Sequence, residues 1–121
     1  LVHWLLSELD LPHALQRVDT QAGEQKRPEY LAINPNGMVP AFVEDDGTVR
    51  IEAAAIAMTL ADRAGRLAPA PGSDARAAYH QWMFHLANAV QPLFRIWWYP
   101  HEPAGPANAA AAREAVVPRI E

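Results

Sequence analysis

Cysteine is absent from the 121 residues. That removes disulfides, thiolate metal sites and a cysteine nucleophile from this stretch, and it is compatible with a reducing compartment. Positive charge is scarce as well: 10 Lys and Arg stand against 14 Asp and Glu, for a net charge of −4 and a pI near 5.7. No basic field exists to hold a phosphate backbone or an anionic bilayer, so neither nucleic acid nor a membrane is expected as a partner. No apolar run approaches the roughly 18 residues of a membrane span, and Leu1 opens into amphipathic sequence without a basic, signal-like stretch. The expectation is a soluble, cytoplasmic chain. Metal-ligand spacing is also missing. His80 and His85 are five apart and fall on different helix faces, while His3, His13 and His101 have no partner at a useful spacing, so no metal is expected. Neither a Gly-x-Ser-x-Gly elbow nor a phosphate-binding Gly-Lys-Ser/Thr loop occurs.

What is present changes character in an orderly way. Val2, Leu5, Leu6 and Leu9 have helical spacing with no capping residue ahead of them, so a helix is expected to begin before residue 1 and to stop near Leu11-Pro12. A short strand is expected over His13 to Val18, then a polar loop over 19–27 and a short helix opening at Pro28, which Asn34-Pro35-Asn36-Gly37 ends. Met38 to Glu44 and Thr48 to Ile51 flank an Asp-Gly turn and read as an antiparallel hairpin. Glu52 to Arg63 reads as a helix with Gly65 as its stop. Residues 64–72 have linker composition. Beyond them Tyr79, Trp82, Met83, Leu86, Val90, Leu93 and Trp97 form a helical stripe, which places Trp82 and Trp97 in a core; Pro92 should kink that helix. Pro100, Pro103 and Pro106 impose an irregular connection before a last helix that runs to the end of the chain.

Two positions carry a chemical reading. Pro40 cannot donate to a ladder, so it sits at a strand edge, and the Val39-Pro40 bond is one that can be cis. Val39 then turns its backbone groups outward, where an extended peptide can pair with them; the alternative is that Pro40 only protects an edge. Glu52 stands where a strand becomes a helix. Free helix N–H groups there suit a carboxylate and the Glu52 side chain suits an ammonium, or else Glu52 merely complements the helix dipole.

Asn-Pro-x-Gly-x-Val-Pro over residues 34–40, the hairpin, and Glu52-Ala53-Ala54-Ala55-Ile56 occur in an order that resembles the glutathione transferase superfamily. Trp4 to Pro12 is similar to its first helix, and the Trp-rich helix to the start of its helical second domain. The resemblance implies a thioredoxin-like α/β domain over 1–68, lacking its first strand, followed by the first helices of an all-α domain over 69–121. It implies glutathione as co-substrate, held by Gln25, Met38, Val39, Pro40, Glu52 and Ala53. Met38 stands where the family often has Lys, and Ala53 where it has Ser, leaving only the Ala53 N–H. A catalytic Tyr, Ser or Cys is expected upstream of Leu1, so no catalytic residue is assigned. Among Asn88, Phe94, Arg95 and Trp98 a residue is expected to approach a hydrophobic electrophile, and a homodimer along the same helix is implied. The leading function is therefore conjugation of the glutathione thiolate to an electrophile, a detoxification chemistry. The alternatives are another glutathione-dependent reaction (isomerisation, dehalogenation, ether cleavage) or a non-catalytic interaction module.

Overall fold

Leu5, Leu6 and Leu9 present one face of a helix, and Ile56, Ala57, Leu60 and Ala61 repeat the same spacing later in the chain. In the computed structural model, which describes residues 1–120, these two faces meet. Helix α1 (Val2–Glu8) packs on α3 (Ala53–Ala64), and all seven residues are buried, with Ile56 fully so. Arg66 closes this layer by donating to the Glu8 carbonyl at the C-terminal end of α1 (3.1 Å) and pairing with Asp10 (3.4 Å).

Between the two helices the chain forms a single helical turn, α2 (Pro28–Leu31), and a two-stranded sheet of β1 (Ala41–Val43) and β2 (Val49–Ile51). The strands are antiparallel, with Ala41 opposite Ile51 and Val43 opposite Val49. Asp46 accepts a bond from the Thr48 N–H (2.8 Å), and Gly47 takes the positive φ that the turn requires. Helix α3 ends as expected at Gly65, whose φ of 61° lies in the left-handed region.

Residues 13–18 correct one expectation. They form no strand, because a strand exists only through a neighbour's ladder and among the described residues β1 and β2 pair only with each other. The first helix also ends three residues earlier than its apolar pattern suggested, at Glu8, with Asp10 at a positive φ.

The chain divides into two compact units, Leu1–Ser73 and a second that begins at Asp74. The second unit consists of α4 (Ala75–His85), a wide π-helical turn (Leu86–Val90), α5 (Gln91–Trp98), the short α6 (His101–Ala104) and α7 (Ala109–Ile120). The π turn stands where a kink was expected. Pro92 has no N–H to offer the Asn88 carbonyl and its ring would collide with it, so the turn before it widens. Helix α7 packs on α5, with Val116 buried and Arg113 donating to the Trp97 carbonyl (2.8 Å). Its expected run to the end of the chain holds to Ile120; Glu121 lies outside the described residues. The expected core role of Trp82 and Trp97 is not met: Trp82 is 60% exposed and Trp97 is exposed as well. Helical spacing says which face is apolar, not what covers it, and α4 carries no buried residue.

A charged clamp fixes the hairpin to α3. Glu44, at the end of β1, accepts bonds from both Arg50 and Arg63. The Arg63 guanidinium foremost, and Arg50 beside it, hold the Glu44 carboxyl below its ordinary range. A carboxylate with a lowered folded pKa contributes stability above its unfolded pKa and loses it as pH falls through the folded one. Wild type should therefore lose stability to acid below the usual carboxylate range more steeply than Glu44→Gln. Thermal melts stepped down in pH check this, and parallel curves would remove Glu44 from the acid response. The effect should shrink in salt, since both arginines are at least a third exposed.

Candidate functional site

The open end of the hairpin, opposite its turn, gathers most of the residues singled out in the sequence. Ala41 and Ile51 are the last paired residues at that end; Val39 and Pro40 lead directly into Ala41, and Glu52 and Ala53 follow directly from Ile51. The Val39-Pro40 bond is cis, as expected. Val39 is exposed, and neither its N–H nor its C=O is hydrogen-bonded within the chain among the described residues.

What holds this segment is a cluster that the sequence reading missed. Asn34 is 2% exposed. Its Nδ2 donates to the Met38 carbonyl (2.7 Å) and its Oδ1 accepts from the Asn36 N–H (3.1 Å). The Tyr30 hydroxyl donates to the same Met38 carbonyl (2.8 Å), filling both lone pairs. Burial pushes the Tyr30 phenol up, partly opposed by its contact with Asn34, so it remains a donor. Asn at the head of a turn was the available signal, since its short amide bonds the backbone two residues on. Gly37 must be glycine here. Its φ is 58°, and a Cβ would sit 2.9 Å from the Gln25 carbonyl and 2.8 Å from Lys26 Nζ.

Glu52 has φ 68° and ψ 106°, a conformation that a residue with a side chain adopts at a cost of about 1–3 kcal/mol. That backbone turns the chain sharply from β2 into α3 and leaves the Glu52 carboxylate exposed, with no ion pair or hydrogen bond to it among the described residues. No side chain caps α3, so the first N–H groups of a twelve-residue helix are free at the same point. An exposed carboxylate beside uncapped helix N–H groups can take an ammonium and a carboxylate on adjacent atoms of one ligand.

Gln25 lies on the other side of the Asn36-Gly37 turn, its backbone carbonyl against Gly37. Its amide donates to the Thr20 carbonyl (3.3 Å), while its Oε1 is buried without a partner. A cavity of about 260 Å³ opens nearby between residues 16–18 and α2, but Val39, Glu52 and Ala53 do not line it. In the second unit Asn88 lies on the π turn, and the Phe94 and Trp98 rings are 5.7 Å apart. Arg95 is engaged with Glu102 (2.7 Å) and lies over the Tyr99 ring. Among the described residues no group of three or more His, Cys, Asp or Glu is arranged to hold a metal, and no helix is long and apolar enough to cross a membrane.

Known proteins are similar to this chain in sequence and in fold. Residues 2–63 match the family model of the glutathione S-transferase N-terminal domain. The chain is 34% identical over 94 residues to the glutathione S-transferase-like protein tpcF of Aspergillus fumigatus, which spans 74% of this chain and 41% of that protein. It is 36% identical over 94 residues to the disulfide-bond oxidoreductase YfcG of Escherichia coli, spanning 73% of this chain and 43% of YfcG. The chain thus spans less than half the length of these relatives. Among solved structures, a glutathione transferase family member from Pseudomonas fluorescens with two bound glutathione molecules superposes with a TM-score of 0.84 at 28% identity, covering 98% of this chain and 55% of that one. With that family model matching residues 2–63, about half of the chain, and a relative 34% identical over 74% of it, the chain belongs to the glutathione S-transferase family.

Proposed function

We propose that the open end of the hairpin is the glutathione site and that the protein conjugates the sulfur of glutathione to a hydrophobic electrophile. The carrying observation is the coincidence, at one end of β1 and β2, of an unpaired Val39 backbone, an unpaired Glu52 carboxylate and the uncapped α3 N-terminus. The cysteinyl backbone pairs with Val39 in the manner of an added strand. The γ-glutamyl ammonium meets Glu52, and its carboxylate meets the Ala53 N–H at the positive end of α3. Gln25 and Met38 flank the glycyl end. Bound in this way, the sulfur is presented as a thiolate that attacks the electrophilic carbon, while the leaving group departs with the bonding electron pair. The experiment is retention on immobilised glutathione, with elution by free glutathione. Passage through the column without retention would leave the family's scaffold in place and remove the ligand.

A second reading, glutathione-dependent disulfide reduction, is favoured by the 36% identity to YfcG, whose name describes a disulfide-bond oxidoreductase. These 121 residues contain no cysteine, so within them the exchanging thiol is that of glutathione itself. Assaying an aryl halide and a dialkyl disulfide side by side separates the two.

For the electrophile we propose Asn88, Phe94, Arg95 and Trp98. The exposed Trp98 ring, tilted by 32° against that of Phe94, offers an apolar platform, and Asn88 sits on a π turn, a geometry that recurs at functional sites. Trp98→Ala should change turnover of bulky aromatic electrophiles while glutathione affinity stays put. Loss of folding with unchanged substrate preference would place the pocket elsewhere. The exposed aromatic faces of α4 and α5 also supply apolar surface for the second copy of the chain that we propose as its partner.

A further inference from the structure

His3 and His13 are ten residues apart, with no spacing that suggests a shared role. The bend after α1 brings them together: their ring centres are 5.1 Å apart, with the rings crossed at 68°. Two imidazoles on one tetrahedral ion, at zinc–nitrogen distances of about 2.0–2.1 Å, have ring centres roughly 5 Å apart. The pair already has that separation. Both side chains are exposed, so an ion can reach them.

The second observation concerns which nitrogen is free. His13 Nδ1 lies 2.9 Å from the Leu11 carbonyl oxygen. A carbonyl only accepts, so Nδ1 carries the hydrogen, and Nε2 is the nitrogen left for an ion. A backbone carbonyl holding one ring nitrogen is the usual means by which a ligating histidine is oriented.

We propose that His3 and His13 form a two-histidine site for a divalent cation that favours imidazole, zinc being the probe of choice. No third His, Cys, Asp or Glu joins them among the described residues, so water completes the coordination sphere and the ion exchanges readily. Occupancy ties the first turn of α1 to the segment after Pro12. None of the residues proposed for glutathione takes part in this site, so it does not rest on that reading.

Calorimetric titration of the chain with zinc chloride near neutral pH tests the proposal. One equivalent should bind, and His3→Ala and His13→Ala should each weaken it about tenfold or more. The double variant keeps neither ligand and should give no binding isotherm. His80→Ala and His101→Ala should leave binding unchanged. His3 and His13 are exposed, and circular dichroism of each variant verifies the fold. Zinc binding that survives His13→Ala undiminished would show that the ion is held elsewhere, which overturns the proposal. So would the absence of a binding isotherm in the unsubstituted chain.

Discussion

Asn34→Ala should destabilise the chain by about 2–4 kcal/mol, a large effect for a polar residue in a turn. The substitution removes the amide that donates to the Met38 carbonyl and the oxygen that accepts from the Asn36 N–H. It also empties the almost fully shielded space that the Asn34 amide fills. Two lost bonds at about 0.5–1.5 kcal/mol each, plus the cavity left behind, give the range. Tyr30→Phe removes only one of the two donors to Met38 and should cost less. Urea denaturation with an unchanged m-value is the measurement. A shift below about 0.5 kcal/mol for Asn34→Ala would show that the turn is held by the backbone alone.

Glu52→Ala should weaken glutathione binding by about 1.5–3 kcal/mol, the range for losing a charge-assisted hydrogen bond, or roughly tenfold to more than a hundredfold in Kd. Alanine retains a Cβ at the same positive φ, so backbone strain is nearly common to both proteins and the difference isolates the carboxylate. Calorimetry on the full-length protein reads it directly. Unchanged affinity would refute the assignment of Glu52 to the ammonium of the ligand. Because the side chain makes no contact within the chain, folding should be little affected.

The contrast between these two residues shows how much of the site was legible in the sequence. Glu52 was visible because its position is local: a β-rich run ends, a helix begins, and a charge stands at the junction. The hairpin was legible for the same reason, since Asp46-Gly47 specifies a turn whatever surrounds it. The resemblance to a known family then made the Val39-Pro40 bond legible as cis. Asn34 and Tyr30 were not, although both lie inside the recognised segment. Their role depends on two side chains converging on one carbonyl, and no periodicity encodes that convergence. The positive φ of Glu52 was hidden too, because a sequence announces such a backbone only when glycine supplies it.

Non-local structure failed in a consistent direction. Residues 13–18 contain strand-forming side chains, but a strand is a relation between two segments, and only β1 and β2 satisfy it here. The stripe through Trp82 and Trp97 identified an apolar helix face correctly and its covering incorrectly. The spacing of His3 and His13 likewise gave no sign of the bend that brings their ring centres within 5.1 Å.

The double acceptance at the Met38 carbonyl has a thermodynamic corollary. One of its donors, Tyr30, belongs to α2, a helix of a single turn that is too short to persist by its own hydrogen bonds. The residue that follows Met38 is the one whose backbone is offered to a ligand. A ligand that needs Val39 in its present position therefore favours the ordered form of α2, and by reciprocity any change that orders α2 raises the affinity for that ligand by the same factor. The two are linked through one oxygen atom, so the rate at which the amides of Leu31 and Ala32 exchange with solvent becomes a gauge of occupancy several residues away.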